Sequence, residues 1–326
     1  MDFRETISLI KDDLERVEKA ITGHFESDVN IIPVIGAYLF FGGGKRIRPV
    51  LVLMSSRLCG YDNDSQHIEQ SCVVEFLHTA TLLHDDVIDA SPKRRGNPSA
   101  NSKWGNEVCV LVGDFLFAKA FDIMARDGDP RMLRILSETC LRMAEGEVLQ
   151  QVHVCNLKLT EKEYINIIDR KTAALLSTCC RLGAVLGQAT PLEEEALASF
   201  GLNVGMAFQL VDDILDYSAD EERLGKPTGT DLREGNVTLP LILLYEESDS
   251  ELRSRIECFI ETGDVSPEDV GELTNLMETR GIFREVASRA RDYIEKAKAE
   301  LKVFDDSSPY LLGLMAVADF VAERDL

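Results

Sequence analysis

The chain is expected to fold as an all-α protein, and three features of its sequence predict this. Apolar residues recur at three- and four-residue spacing almost throughout, strictly alternating segments are scarce, and the stretches between Gly- and Pro-rich breaks often exceed ten residues. With 326 residues and 45% hydrophobic composition, the chain can bury a large core without disulfide staples.

The elements follow in order. From Met1 to Ala20, charged and apolar residues alternate at helical spacing, a pattern unlike a secretory leader or transit segment. The glycines at 42–44 break the first helical region. Further on, Val73, Phe76, Leu77, Ala80 and Val87 lay an apolar stripe along one helix. Further breaks fall at Gly60 to Asp64, Ser91 to Pro98, Asp127 to Pro130 and Leu224 to Asn236. No Pro/Ser-rich linker divides the chain and no repeat of roughly 20–50 residues is visible, so residues 1–326 read as one helical domain. No run approaches the ~20 apolar residues of a membrane span. A cytoplasmic protein is expected, with peripheral membrane contact still compatible.

Eight cysteines are scattered mostly in apolar surroundings with no CxxC pair, which predicts buried small hydrophobes in a reducing compartment rather than a zinc site. Acidic segments near Glu193 to Glu195 and Asp264 to Glu272 read as solvated surface. The net charge of −22 argues against nucleic-acid binding. So acidic a protein can bind anionic substrates only where local cations reverse the field.

Asp85, Asp86 and Asp89 form a DDxxD pattern, and Asp212, Asp213 and Asp216 repeat it. On a helix, Asp85 and Asp89 share a face, as do Asp212 and Asp216. Like charges at that spacing cost an isolated helix roughly 0.2–0.5 kcal/mol per pair. Burying them among Leu, Val and Ile costs more unless a cation compensates. One such cluster is compatible with a solvated acidic face; two point to a hard divalent cation. Mg²⁺ is the expected one, because it bridges protein carboxylates to substrate phosphates.

The cations sit where such a phosphate needs them. Lys45, Arg46 and Arg48 follow the glycine turn, which is not a Walker A loop. Lys93, Arg94 and Arg95 lie just past Asp89, able to bind a phosphate or to pair with the aspartates. His78 precedes Asp85 by two helical turns on the same face. Lys171, Thr172 and Lys226 carry no signal taken alone.

Together these residues resemble the trans-isoprenyl diphosphate synthases, or polyprenyl synthetases. The resemblance runs from about Gly43 to Pro240. It rests on Gly43 to Pro49, His84 to Asp89 with Arg94 to Gly96, Gly113-Asp114, Arg170 to Ala173, Phe208-Gln209, and the second aspartate cluster running into Gly225-Lys226-Pro227. Val74 to Leu83 is similar to the long-chain branch that makes quinone side chains. The resemblance implies a bundle of antiparallel helices around a central cavity, usually in a homodimer, that joins isopentenyl diphosphate to an allylic prenyl diphosphate. It implies Mg²⁺ on Asp85, Asp86 and Asp89 and on Asp212, Asp213 and Asp216. It places Arg94, Lys171, Thr172 and Lys226 on the allylic substrate, and Lys45, Arg48, His78 and Arg95 on isopentenyl diphosphate. Gln209 lies near the reacting carbons. Asp85, Asp89, Lys171, Gln209, Asp212 and Asp216 are the expected catalytic set.

Ala80 and Thr81 are small where relatives with short products carry bulky aromatics, so a medium- or long-chain product is expected and Ala80→Phe should shorten it. The alternatives are a farnesyl- or geranylgeranyl-length product, a class I terpene cyclase, or a non-catalytic helical subunit. The second aspartate cluster and the Lys45/Arg48 pair disfavour the cyclase, and the complete set of six aspartates disfavours the subunit.

Overall fold

The computed structural model describes residues 1–41, 44–63, 65–94, 96–127, 129–218 and 228–323. Among these the expected helices form. α1 (Phe3–Leu9), α2 (Lys11–His24) and α3 (Ile31–Phe41) lead to α4 (Ile47–Leu58) and the long α5 (Gln66–Ile88). A miniature antiparallel hairpin, β1 (Lys93–Arg94) and β2 (Asn97–Pro98), stands where the sequence predicts only a loop. After α6 (Ala100–Trp104) come α7 (Asn106–Asp127), α8 (Pro130–Val152), α9 (Glu161–Ile168), α10 (Ala174–Leu186) and α11 (Pro191–Ser218). The chain closes with α12 (Thr230–Arg233), α13 (Leu239–Glu247), α14 (Ser250–Thr262), α15 (Pro267–Thr279), α16 (Ile282–Glu300) and α17 (Pro309–Ala322).

Caps fix several starts. Thr160 and Ser266 form capping boxes with Glu163 and Asp269, and Asp129 with Pro130 opens α8. α5 packs along α7, α10 along α4, and α11 against both α10 and α16. A continuous apolar core runs from Ile10 to Val321; of the predicted stripe, Val73, Phe76, Leu77 and Ala80 lie inside it and Val87, half-buried, packs against it. No helix of the described residues is long and apolar enough to cross a membrane.

Between α9 and α10 the chain makes a π-helical turn over Asp169–Ala173, which no local sequence rule announces. This turn is clamped between two glycines. A Cβ on Gly146 of α8 would come within 2.6 Å of the Lys171 backbone nitrogen, and one on Gly205 of α11 within 2.5 Å of the Ala173 Cα. Neither neighbour is a flexible side-chain end. Gly146→Ala is therefore expected to cost about 1–3 kcal/mol in overpacking, read as a lower denaturant midpoint, and to shift Lys171.

Two surface expectations are corrected. Glu194 is buried, because Arg131 and Arg181 converge on its carboxylate, the latter at 2.8 Å. Cys155 and Cys258 are exposed rather than buried, while Cys72, Cys109, Cys179 and Cys180 lie in the core as expected.

Candidate active site

A cavity of about 510 Å³ is lined by Arg48 from α4, by His78, Thr81 and Asp85 from α5, by Phe117 from α7, and by Met143 and Glu147 from α8. Lys171 and Thr172 of the π turn and Phe208, Gln209 and Asp212 of α11 complete its polar end. The seven-residue interval between His78 and Asp85 thus does set both on the cavity side of α5. A second cavity, of about 610 Å³, shares Arg48, His78, Phe208 and Asp212 with the first and adds Lys45 and Arg94. A third, of about 350 Å³, reaches Asp89, Arg94, Lys171 and Asp213 from the other side. The two acidic helices therefore face a common cleft rather than solid core.

The electrostatics of that cleft follow from burial. Desolvation pushes the Asp85 carboxyl up to about 7; Lys171 pulls it back, while Glu147 and Asp89 push it further. Asp89 is raised for the same leading reason. Lys171, although burial alone would lower it, is held above its ordinary value by Asp85, Glu147 and Asp89, and its Nζ lies 2.6 Å from Glu147. Carboxylates outnumber cations at this spot. A hard divalent cation fits the donor set, supplying the charge that one lysine does not. Among the described residues no three acidic, His or Cys side chains close a metal site by themselves. Oxygens from a diphosphate and from water would complete the shell, as is usual for Mg²⁺.

Not all six aspartates share this position. Asp85, Asp89, Asp212 and Asp213 border the three cavities. Asp86 is 1% exposed and its carboxylate is occupied by Arg94, whose Nε and Nη2 donate at 2.6–2.9 Å. The hairpin brings Arg94 back over the end of α5 to make this fork. Asp213 is equally buried; it accepts from the Tyr164 hydroxyl and, at 2.9 Å, from Gln209 Nε2. Burial pushes it up to about 7 against the pull of those two hydrogen bonds. Asp216 accepts from the Asp231 backbone N–H at 3.1 Å, and its own carbonyl accepts from Gly229, so it braces the segment after the second cluster. The Asp86, Asp213 and Asp216 carboxylates are thus engaged by protein donors, although Asp213 also borders the third cavity.

The basic residues divide in the same way. Arg46, at the head of α4 with φ 51°, is spent on Glu18, Glu75 and the Phe40 carbonyl. Arg46 borders the second cavity together with Lys45 and Arg48, but its guanidinium is committed to those partners. Arg94 borders that cavity while bound to Asp86. Arg94→Ala would leave a buried carboxylate alone and is expected to cost about 3 kcal/mol, so both its thermal midpoint and its diphosphate KM should move. Arg95 and Lys226 lie outside the described residues.

Thr81 lines the first cavity, whereas Ala80 is fully buried in the core. Of the pair expected to set chain length, only Thr81 therefore faces this cavity, while Ala80 packs in the core. Gly113, part of the sequence resemblance, has a packing reason: a Cβ there would strike the His84 ring at 2.2 Å. Sequence reasoning missed Glu147 and Tyr164. The only signal for Glu147 was an acidic residue one turn after Met143 on an otherwise apolar face; Tyr164 gave none.

A family model for polyprenyl synthetase matches residues 29–277. Octaprenyl diphosphate synthase of Escherichia coli (strain K12) is 39% identical over 325 residues, covering all of both chains. The polyprenyl synthase of Caulobacter crescentus CB15, crystallised with calcium and isoprenyl diphosphate, superposes with a TM-score of 0.96 at 40% identity, over 100% of this chain and 98% of that one. A decaprenyl diphosphate synthase from Rhodobacter capsulatus superposes with a TM-score of 0.92 at 38% identity, over 99% of each chain.

Proposed function

The chain belongs to the polyprenyl synthetase family, and from that premise we propose that it joins isopentenyl diphosphate to an allylic prenyl diphosphate, releasing diphosphate and building a medium- or long-chain all-trans polyprenyl diphosphate. The observation that carries this is the cleft in which Asp85 and Asp212 border one cavity together with Lys171, Arg48 and His78.

The residues divide the work. Lys45, Arg48 and His78 border the second cavity and are suited to an incoming diphosphate. Asp85, Asp89 and Asp212 would hold Mg²⁺, which when bound neutralises charge developing on the leaving diphosphate. Lys171, kept cationic by its acidic neighbours, adds a fixed positive charge at the same place. Carbon–oxygen cleavage leaves an allylic cation; the isopentenyl double bond attacks it, and the proton lost goes to the released diphosphate. No enzymic nucleophile is needed. Phe117, Met143, Leu175 and Phe208 keep water from the cation and give the growing chain an apolar bed.

The chain is proposed to act as one unit, in the cytoplasm, as a homodimer, with product passed on by peripheral membrane contact. Support for the dimer is the exposed apolar stripe Leu141, Val148 and Val152 on α8, with Val110 and Leu111 exposed on α7. The test is incubation of the purified protein with isopentenyl diphosphate, several allylic primers and Mg²⁺, followed by sizing of the products. Metal-dependent elongation supports the proposal; a cyclic hydrocarbon, or no turnover by the protein alone, refutes it.

A further inference from the structure

We infer that Tyr164 is a positioning residue for the condensation: its hydroxyl holds Asp213, and Asp213 in turn fixes which end of the Gln209 amide faces the reaction cavity. The inference rests on the proposed reaction and assigns a role to a side chain that does not line the 510 Å³ cavity.

Tyr164 lies on α9 and is 3% exposed. Its hydroxyl donates to Asp213 Oδ2. Gln209 Nε2 donates to Asp213 Oδ1 at 2.9 Å, and the Thr172 hydroxyl donates to Gln209 Oε1 at 2.9 Å. Four side chains from α9, α11 and the π turn thus form one hydrogen-bonded chain.

Its two ends differ in chemistry and in place. A carboxylate oxygen receiving a phenol proton is an acceptor, so the neighbouring amide must turn its NH₂ toward Asp213. The amide oxygen is then left on the side of Thr172. Thr172 and Gln209 line both the 510 Å³ and the 350 Å³ cavities, whereas Asp213 borders only the latter of the two. The amide therefore presents its partially negative oxygen toward the space in which an allylic cation must form. A reversed amide would bring the NH₂, partially positive, to that space and set its oxygen against the carboxylate. Fixing a dipole before charge develops is electrostatic preorganisation. Among the described residues Tyr164 is the donor to Asp213 Oδ2, and without it the buried carboxyl can rotate, releasing the amide. The π turn contributes by swinging Thr172 to the oxygen end, and the glycine clamp at Gly146 and Gly205 keeps it there.

The test compares wild type, Tyr164→Phe, Gln209→Leu and the double variant, varying each diphosphate separately, with thermal melts on all four. Tyr164→Phe keeps the ring and removes only the donor. It is expected to lower kcat about tenfold, the scale of an outer-shell partner, with both KM values unchanged. In the Gln209→Leu background it should lower kcat no further, because the residue through which it acts is gone. An unchanged kcat, a loss seen only as raised KM, or the same fractional loss in both backgrounds overturns the inference. Should Tyr164→Phe fail to fold, Asp213→Asn cuts the same chain at its middle and must show the same kcat loss and the same non-additivity. A wild-type protein that does not condense the two diphosphates overturns the functional reading and this inference together, whereas active wild type beside an unaffected Tyr164→Phe overturns this inference alone.

Discussion

Alanine in place of Asp85 is expected to lower turnover by about 10²–10³-fold, the cost of losing one group that stabilises developing charge, while leaving the metal-free protein at least as stable as before. The two halves of this outcome have one cause. Burial raises the Asp85 carboxyl to about 7, so its ionised form is held at a disadvantage by the fold, and Glu147 and Asp89 add to it. Removing that carboxylate relieves the folded state at neutral pH. Asp212→Ala should lose turnover on a similar scale, because Asp212 faces the same cavity from α11. Asp86→Ala separates the cases. It would strip Arg94 of its fork and is expected to lower the thermal midpoint along with activity. Turnover and melting temperature measured on the three variants without and with Mg²⁺ check this. An Asp85→Ala protein that keeps wild-type turnover would refute the cation role of the cleft.

Much of this site was legible before any coordinates, and the boundary of what was legible has a physical reason. Helical spacing fixes which residues of one helix share a face, so His78, Thr81 and Asp85 could be grouped from their intervals alone. Facing across helices is not a local property. The sequence therefore presents Asp85 and Asp86 as neighbours, although a helix turns 100° per residue and only Asp85 lines the 510 Å³ cavity. What Asp86 faces instead is Arg94, brought back by a hairpin whose two-residue strands are too short to show a pattern. The same holds for Arg46 among its basic neighbours: Glu18 and Glu75 that neutralise it come from α2 and α5. The π turn was hidden for a different reason. It is imposed by the close approach of Gly146 and Gly205 from two other helices, so its cause lies outside the segment that carries it.

Phenylalanine in place of Thr81 is expected to abolish the longest products and leave short ones, with the first addition of isopentenyl diphosphate still proceeding. Thr81 lies one turn before Asp85 and lines the cavity opposite Phe117, Cys140 and Met143. Helical side chains lean toward the helix N-terminus, so a ring at 81 covers the wall on the side away from Asp85. It shortens the apolar bed without entering the diphosphate end. The Thr81 hydroxyl is spent on the His78 carbonyl at 2.8 Å within the same helix, and losing that bond costs little. Ala80→Phe, which sequence reasoning alone would favour, is expected to behave differently. Ala80 is fully enclosed, and a ring there overpacks the core behind α5 at a cost of about 1–3 kcal/mol or more, so the protein should lose stability first. Product sizing by chromatography beside thermal melts distinguishes the two. If Thr81→Phe makes products of wild-type length, the growing chain does not run past this face of α5, and the apolar wall assigned to it must lie elsewhere in the bundle.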